Sequence, residues 1–290
     1  MDEESFKVKW DAATRAEILA EGMSRRGLEA AVRSGELVRA RRDHYVAAAT
    51  PRAVLQAVRI GGRLTCLSLL QLLGVFVFAC DTLHVHIPRG ASRLRSPRNR
   101  AKPLRRGSKR GARLHWSPLA RDEGGTSACV GVIDALIHSV LCQQARHAVA
   151  TLDSALNKGM ITALDLAEIF HALPAKFAVL QTLVDARAQS GPETLVRLML
   201  RGLGCHVDLQ VAFEQVGFVD MVVDRWLVIE CDSKAFHSTW EAQLEDYRRD
   251  GILASYGYCV FRIAAEDILY RPEQVLASLR GLVATRRTLR

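Results

Sequence analysis

The stretch that decides the fold is GFVDMVVDRWLVIECDSKAFHSTWEAQLEDYRRD, residues 217–250. Its first apolar run carries Asp220 and is separated by the dipeptide Asp-Arg from a second apolar run. Two β-rich runs with a short polar break predict a β-hairpin. Because side chains two positions apart on a strand share a face, we expect Glu230, Asp232 and Lys234 to point the same way.

The acidic residues of this hairpin predict a metal site. A favourable hairpin register brings Asp220 beside Glu230 and Asp232. Carboxylates that crowd on one sheet face repel one another unless a cation neutralises them. Hard divalent cations such as Mg²⁺ or Mn²⁺ prefer oxygen ligands, so magnesium or manganese is the expected cofactor. The competing interpretation is that these acids are solvated and carry no chemistry.

The same residues resemble the core of the PD-(D/E)XK nuclease superfamily, and more narrowly its bacterial branch related to very-short-patch-repair endonucleases. The resemblance covers roughly residues 190–280. It implies that Asp220 and Glu230 bind the metal together with the backbone carbonyl of Cys231. It also implies that Asp232 occupies the position at which the superfamily has a lysine, a departure that this branch shares.

Three further residues take their expected roles from this resemblance. The segment VIECDSKAFH, residues 228–237, parallels a repair-nuclease segment that ends in a catalytic histidine, which assigns that role to His237. Lys234 is then a substitute for the missing lysine. Nucleases of the superfamily often place a glutamate on their first helix beside the metal, and Glu193 matches that placement. An acid in a first helical turn also complements the helix dipole, which is an alternative reason for Glu193.

The sequence predicts a chain of the α/β class, α+β overall, with three domains. Residues 1–50 are typical of a winged helix-turn-helix, and residues 51–188 indicate a largely helical middle α/β domain with a basic arm at 89–113. Residues 189–290 are expected to form the restriction-endonuclease-like domain. In the superfamily the core of that domain has the element order α-β-β-β-α-β.

The positive charge of the chain is concentrated in its first part. The net charge is +9 over 290 residues, but residues 1–118 alone hold 23 Lys/Arg and 10 Asp/Glu, a net of +13. Residues 119–180 and 181–290 each carry a net of −2. A basic excess outside the acid-bearing domain predicts a polyanionic partner, and DNA is the expected one.

The segment SRRGLEAAVRSGELVRARRDHYV, residues 24–46, predicts the second helix and the wing of a helix-turn-helix domain. We expect Asp11 to cap a first helix that ends near Glu21, and Ser24 to cap the second. The segment resembles the N-terminal winged helix of AbiE-type antitoxins and related bacterial proteins. In helix-turn-helix proteins the second helix enters the major groove, and the wing supplies phosphate contacts. The expected DNA-binding residues of this domain are Arg25, Arg26, Arg39, Arg41 and Arg42, although a solvated helix face is the alternative.

Residues 89–113 contain eleven Lys/Arg and no acid, and prolines and glycines interrupt them. No periodic apolar face exists there, so we expect a long loop or mobile arm. Such an arm would follow DNA phosphates with salt-sensitive affinity, whereas the alternative is a solubilising loop between two strands. The arm residues expected to contact nucleic acid are Arg98, Arg100, Arg105, Arg106, Lys109 and Arg110.

Cysteine and histidine patterns predict no metal framework. The seven cysteines are scattered and form no CxxC pair, so we expect buried thiols in a reducing cytoplasm. His84 and His86 could bind a metal, but no third ligand is evident nearby in the sequence, and a surface or packing role is expected. No apolar run is long enough to span a membrane, which predicts a cytoplasmic protein with no membrane partner. The oligomeric state is left open.

These features predict a DNA-binding, magnesium-dependent endonuclease that acts in defence or repair. The alternative is a non-catalytic DNA-binding regulator, such as an antitoxin-like repressor, that carries an inert nuclease fold. The target sequence, the preference for DNA or RNA and the number of strands cut are left open.

Overall fold

The computed structural model describes residues 8–105, 107, 111–121, 124–232 and 240–288. The chain forms two compact units. One contains the described residues up to Gln144 together with Lys158–Gln181, and the other contains Ala145–Asn157 together with the described residues from Thr182 onward. Helices and sheets occur in both units, which agrees with the predicted α/β class. Within the described ranges, no helix combines the length and the apolar composition that crossing a bilayer requires.

The N-terminal region of the first unit has two helices followed by an antiparallel pair of strands. Its elements are β1 (Ala13–Thr14), α1 (Arg15–Ala20), α2 (Arg25–Ser34), β2 (Leu37–Arg41) and β3 (His44–Ala47). The sheet order is β1-β3-β2. Ser24 accepts a hydrogen bond from the Gly27 amide at the start of α2, and Gly35 ends that helix in the left-handed conformation.

The expected first helix begins later than the sequence analysis placed it. Thr14, not Asp11, caps α1, and it forms a reciprocal capping box with Glu17. Asp11 Oδ1 instead accepts a hydrogen bond from the amide of Ser127 at 3.0 Å. Local capping rules consider only neighbouring residues, so they cannot predict a hydrogen bond to a residue more than a hundred positions away.

The rest of the first unit packs helices beside a three-stranded sheet of order β4-β5-β8. The elements are α3 (Arg52–Ile60), β4 (Arg63–Leu64), α4 (Cys66–Leu72), β5 (Leu83–His86), β6 (Arg95–Ser96), β7 (Asn99–Pro103), β8 (Ala112–His115), α5 (Val132–Val140), α7 (Ala163–Ala172) and α8 (Ala178–Gln181). Strand β5 pairs with β8 in parallel and with β4 antiparallel. The pair His84 and His86 is buried on β5, so neither histidine has the surface position that was one of the two expectations.

The basic arm has more structure than its composition predicts. Strands β6 and β7 form an antiparallel hairpin in which Arg95 pairs with Pro103. Arg59 of α3 donates to the Pro97 carbonyl at 3.1 Å, and Arg100 donates to the Arg39 carbonyl at 3.1 Å. Residues 95–103 of the expected loop or mobile arm therefore form a hairpin. Backbone pairing and arginine contacts to carbonyls order this segment without an apolar face.

The second unit is built around a four-stranded sheet of order β12-β11-β10-β9. Its elements are α6 (Ala145–Asn157), α9 (Gly191–Gly202), β9 (Val207–Phe213), β10 (Gly217–Val223), β11 (Leu227–Asp232), α10 (Trp240–Ser255), β12 (Cys259–Ala264), α11 (Ala265–Tyr270) and α12 (Pro272–Thr288). Strands β9, β10 and β11 pair antiparallel, and β12 runs parallel to β11.

The predicted hairpin of β10 and β11 is confirmed. Asp224 and Arg225 occupy the turn with φ values of +47° and +61°, and Trp226 donates its amide to the Val223 carbonyl at 3.1 Å. Two left-handed residues in a row are the signature of a type I′ turn, which matches the twist of the flanking strands. Both faces of the sheet are covered by apolar cores. Met221, Ile229 and Leu279 belong to one core, and Val222, Val228 and Leu253 belong to the other.

Candidate active site

Asp220 and Glu230 face each other at the point where the pairing of β10 with β11 ends. The last pair that the two backbones share is Met221 with Ile229. Beyond this pair, the backbone amides donate hydrogen bonds to side-chain carboxylates. The amide of Cys231 donates to Asp220 Oδ2 at 2.7 Å, and the amide of Asp220 donates to Glu230 Oε2 at 3.2 Å. The strand ends therefore hold both carboxylates in defined positions.

Gln210 on β9 lies beside the acid pair and links it to helix α9. The pairing of β9 with β10 places Gln210 opposite Asp220. Gln210 Nε2 also donates to Glu193 Oε2 at 3.1 Å, and the Gln189 amide donates to the same oxygen at 2.9 Å. Glu193 is buried in the first turn of α9, which Ser190 caps. The structure thus brings Glu193 into the neighbourhood of the acid pair.

The sequence analysis did not assign a role to Gln210. The local signal is that Gln210 is one of two polar residues, with Asp208, in the otherwise apolar strand VDLQVAF, residues 207–213. Its backbone has a φ of +53°, a left-handed conformation that a non-glycine residue rarely adopts inside a strand. Strained backbone of this kind clusters at functional sites.

Burial raises the pKa of all three carboxyl groups. For Glu230, burial and then the charge of Asp220 raise the pKa to about 7. Burial is also the main cause of the raised pKa values of Asp220 and Glu193. Two or three desolvated carboxylates at close range favour binding of protons or of a cation.

Arg249 of α10 is the basic group that lies beside the acid pair. Its Nη2 donates to the Phe218 carbonyl at 3.0 Å and lies 3.5 Å from Glu230 Oε1. One guanidinium at this distance compensates the carboxylates only in part, because the pKa of Glu230 remains raised.

Asp232 occupies a different environment from Asp220 and Glu230. It is exposed, and its Oδ1 accepts a hydrogen bond from Arg262 Nη1 at 3.3 Å. Arg262 also bonds both carboxylate oxygens of Asp250, at 3.0 and 3.2 Å, and Asp246 at 3.3 Å. The sequence reading placed Asp232 on the acidic face, and it does raise the pKa of Asp220. Its closest partner is nevertheless the arginine.

Lys234 and His237 were assigned roles in proton transfer or charge neutralisation. Both lie outside the described residues, so their expected roles stay predictions. The same holds for Arg106, Lys109 and Arg110 of the basic arm.

The donor set of this site fits a hard divalent cation. Asp220 and Glu230 offer carboxylate oxygens, and the contact of the Cys231 amide with Asp220 brings the Cys231 backbone to the same place. Mg²⁺ binds through one or two carboxylates and keeps several waters. Buried acids with raised pKa values are consistent with a site whose neutralising cation is not a protein side chain.

The predicted nucleic-acid-binding residues of the first unit differ in their exposure to solvent. Arg25 and Arg26 are exposed in the first turn of α2, and Arg42 is exposed beside Asp43. Arg41 turns inward, with its Nη1 directed at the Ile60 carbonyl 3.5 Å away, and burial lowers the pKa of its guanidinium. Arg41 is thus partly buried, and its expected phosphate contact stays a prediction.

A basic cavity of about 310 Å³ lies between α2 and the β2–β3 pair. Its lining includes Arg15, Arg25, Arg33 and Arg39, with Glu29 as the acidic member. Arg100 of the hairpin contacts the Arg39 carbonyl, and Arg98 and Arg105 are exposed along the same arm. The hairpin and the N-terminal region thus present adjacent arginines within one unit.

The second unit carries a restriction-endonuclease-like C-terminal domain. A family model of that kind, REase_MTES_1575, matches residues 193–282. The match begins at Glu193 and includes Asp220, Glu230 and Arg262, and it hints at a nuclease function. No curated protein matches the chain.

Proposed function

We propose that this chain is a DNA-binding, magnesium-dependent endonuclease that hydrolyses phosphodiester bonds in defence or repair. The observation that carries the proposal is the opposition of Asp220 and Glu230, desolvated and held by backbone amides at the end of a hairpin. Asp220, Glu230 and the Cys231 carbonyl would hold the ion, and Mn²⁺ is an alternative. When bound, such an ion polarises the phosphoryl group and lowers the pKa of a coordinated water.

The remaining residues of the site position these ligands. Gln210 fixes Glu193 through a hydrogen bond and lies opposite Asp220 on the neighbouring strand, and Arg249 supplies positive charge beside Glu230. Glu230 has a pKa of about 7, so it exchanges a proton near neutral pH when no cation is bound. We assign proton transfer or charge neutralisation to His237 and Lys234, as the resemblance to repair nucleases implies.

The first unit supplies the affinity for the duplex. Arg25 and Arg26 stand at the start of α2, where the second helix of a winged helix-turn-helix contacts base edges. Arginines of the cavity rim and of the hairpin would contact phosphates, which adds affinity but no sequence preference. The seven cysteines all lie among the described residues and form no disulfide, which supports a reducing, cytoplasmic location.

One observation favours a non-catalytic DNA-binding regulator instead. Asp232 stands where the superfamily has a catalytic lysine, and Arg262 binds it in an ion pair. A site that has exchanged its cationic residue for a paired acid could keep the fold and lose the reaction.

Plasmid relaxation by the full chain distinguishes the two functions. With magnesium or manganese, the wild type should nick or cut DNA, and Asp220→Asn should abolish cleavage. Asp208→Asn is the matched control, because Asp208 is a solvent-accessible acid on the neighbouring strand β9. Absence of cleavage across DNA and RNA substrates, with no metal-induced rise in Tm, would reject the nuclease in favour of the regulator.

A further inference from the structure

Four side chains of the first unit converge on one point far from the acidic site in the sequence. Cys66, His84, His115 and Cys142 each offer a sulfur or a ring nitrogen, and these four atoms lie within 4.8 Å of one another. We refer to them as the thiol–imidazole cluster. Cys66 and His84 are buried, and the other two residues are partly buried.

The distances inside the cluster match tetrahedral coordination. His84 Nδ1 lies 3.2 Å from His115 Nε2, and Cys142 Sγ lies 4.0 Å from the same nitrogen. Zinc binds nitrogen at about 2.0–2.1 Å and sulfur at about 2.3 Å, so a tetrahedral ion separates two nitrogens by about 3.3 Å and nitrogen from sulfur by about 3.6 Å. These distances between donor atoms are therefore close to the distances expected around one tetrahedral zinc ion.

Four separate elements deliver these ligands. Cys66 begins α4, His84 lies on β5, His115 ends β8 and Cys142 follows α5. Cys66 has a φ of +54°, a left-handed backbone that a cysteine rarely adopts. Strain at the residue that directs its thiol into the cluster points to a function for that thiol.

His138 packs against the cluster without being a candidate ligand. Its ring lies 4.6 Å, centroid to centroid, from the ring of His115. Both of its nitrogens are hydrogen-bonded, Nδ1 to Thr65 Oγ1 and Nε2 to Ser117 Oγ, each at 2.8 Å. Thr65 and Ser117 lie within two residues of Cys66 and His115, so this bridge fixes the backbone on both sides of the cluster.

We propose that Cys66, His84, His115 and Cys142 bind one zinc ion that has a structural role. Thiolate and imidazole donors together select zinc over magnesium. Four protein ligands close the coordination sphere and leave no position for a substrate, which separates this site from a catalytic one. The sequence offered only the pair of histidines on β5, because the other ligands stand 18 to 58 residues from His84.

The site joins the two ends of the basic hairpin to the body of its unit. His84 lies on the strand that leads into the segment carrying β6 and β7, and His115 ends the strand that follows it. Cys66 and Cys142 attach these strands to two helices that pack against each other. A bound zinc ion would hold the strand that precedes the arm, β5, and the strand that follows it, β8, at a fixed separation.

Metal analysis of the full chain tests the site. We expect the protein, purified without a metal-affinity column, to contain about one zinc per chain. After exchange with cobalt(II), thiolate charge-transfer and d–d absorption should report tetrahedral coordination. Cys142→Ser and His115→Ala should lose the zinc, whereas Cys80→Ser and His171→Ala, a thiol and an imidazole outside the cluster, should keep it.

Two results would overturn the proposal. One is a folded wild type that carries no zinc and gives no cobalt spectrum. The other is zinc that survives Cys142→Ser and His115→Ala but disappears with Asp220→Ala, which would assign the ion to the acidic site. Hydrogen exchange adds an independent readout, because zinc removal by a thiol-reactive mercurial should expose residues 83–86 and 112–115 and leave 207–232 protected.

Discussion

Arg197 of α9 donates a hydrogen bond to Asp153 of α6 at 2.7 Å, and both side chains are at most 1% exposed. Asp153 also accepts from Thr194 Oγ1 and from the Asp185 amide. Among the described residues, Nε and Nη1 of Arg197 have no hydrogen-bond partner. The pair joins α6 to the helix that carries Glu193.

Breaking this pair should destabilise the second unit strongly. Asp153→Leu leaves a buried guanidinium without its charge partner, and losses of about 3–5 kcal/mol are typical for such changes. The double variant Asp153→Leu/Arg197→Met removes both charges and should recover most of the loss. Urea unfolding of the three proteins checks this. Equal stability of the single variant and the wild type would contradict it.

The raised pKa of Glu230 should make the metal-free protein less stable as the pH rises. Folded Glu230 keeps its proton up to about pH 7, whereas the unfolded side chain loses it near 4.5. The folded state binds more protons between these values, so the free energy of unfolding should fall by roughly 3 kcal/mol across that window. Unfolding in magnesium-free buffer at several pH values measures the slope.

Glu230→Gln is the control for this pH dependence, because it keeps the shape and removes the titration. The variant should show a flatter profile, and magnesium should stabilise the wild type more above pH 7 than below it. A wild-type slope in Glu230→Gln would show that another group is responsible.

Gln210→Gly should change stability and activity in opposite directions. Glycine relieves the left-handed backbone, which is worth about 1 kcal/mol at such a position. The same change removes the hydrogen bond to Glu193, and loss of such a supporting contact typically costs about 10–100-fold in metal affinity or activity. A thermal melt and a cleavage assay report the two effects. A destabilised variant with full activity would refute both arguments.

Arginines of the first unit should affect DNA binding in two distinct ways. Replacing Arg98 and Arg105 by alanine in the full chain should weaken binding to all duplexes and lower the salt slope by about 2. Arg25→Ala or Arg26→Ala should instead change the sequence preference. Fluorescence anisotropy at two salt concentrations measures both, and Arg271→Ala, whose side chain pairs with Asp267, is the control. A uniform, salt-independent loss in every variant would argue against this division.

His237→Ala should leave metal binding intact and slow turnover by about 10²–10⁴-fold, the scale of a lost general acid or base. Magnesium-induced stabilisation and single-turnover cleavage separate the two properties. Full activity of this variant, together with loss of activity in Lys234→Ala, would move the proton-transfer role to the lysine.

Local sequence rules predicted the local parts of the structure. Ser24 predicted the start of α2, and the polar dipeptide at 224–225 predicted the hairpin that holds Asp220 and Glu230. These signals act within a few residues, so one sequence is enough to find them.

The same local rules could not predict contacts between residues that are distant in the sequence. Asp153 gave no local signal of this role, because its partner lies 44 residues away on another helix. The cysteines of the thiol–imidazole cluster looked scattered for the same reason. The inward turn of Arg41 depends on Gly61, where any side chain would overlap its guanidinium.

The parallel pairing of β5 with β8 has a consequence for how the arm can vary. Parallel neighbours cannot be joined by a tight turn, because the chain must first travel back to the edge where the earlier strand began. Some excursion between His86 and Ala112 is therefore obligatory in this topology, whatever its sequence. Related chains could lengthen, shorten or recharge this excursion freely, but none could delete it without reversing a strand. The arginine-rich hairpin thus lies in a connection that the parallel pairing of β5 with β8 requires in any case.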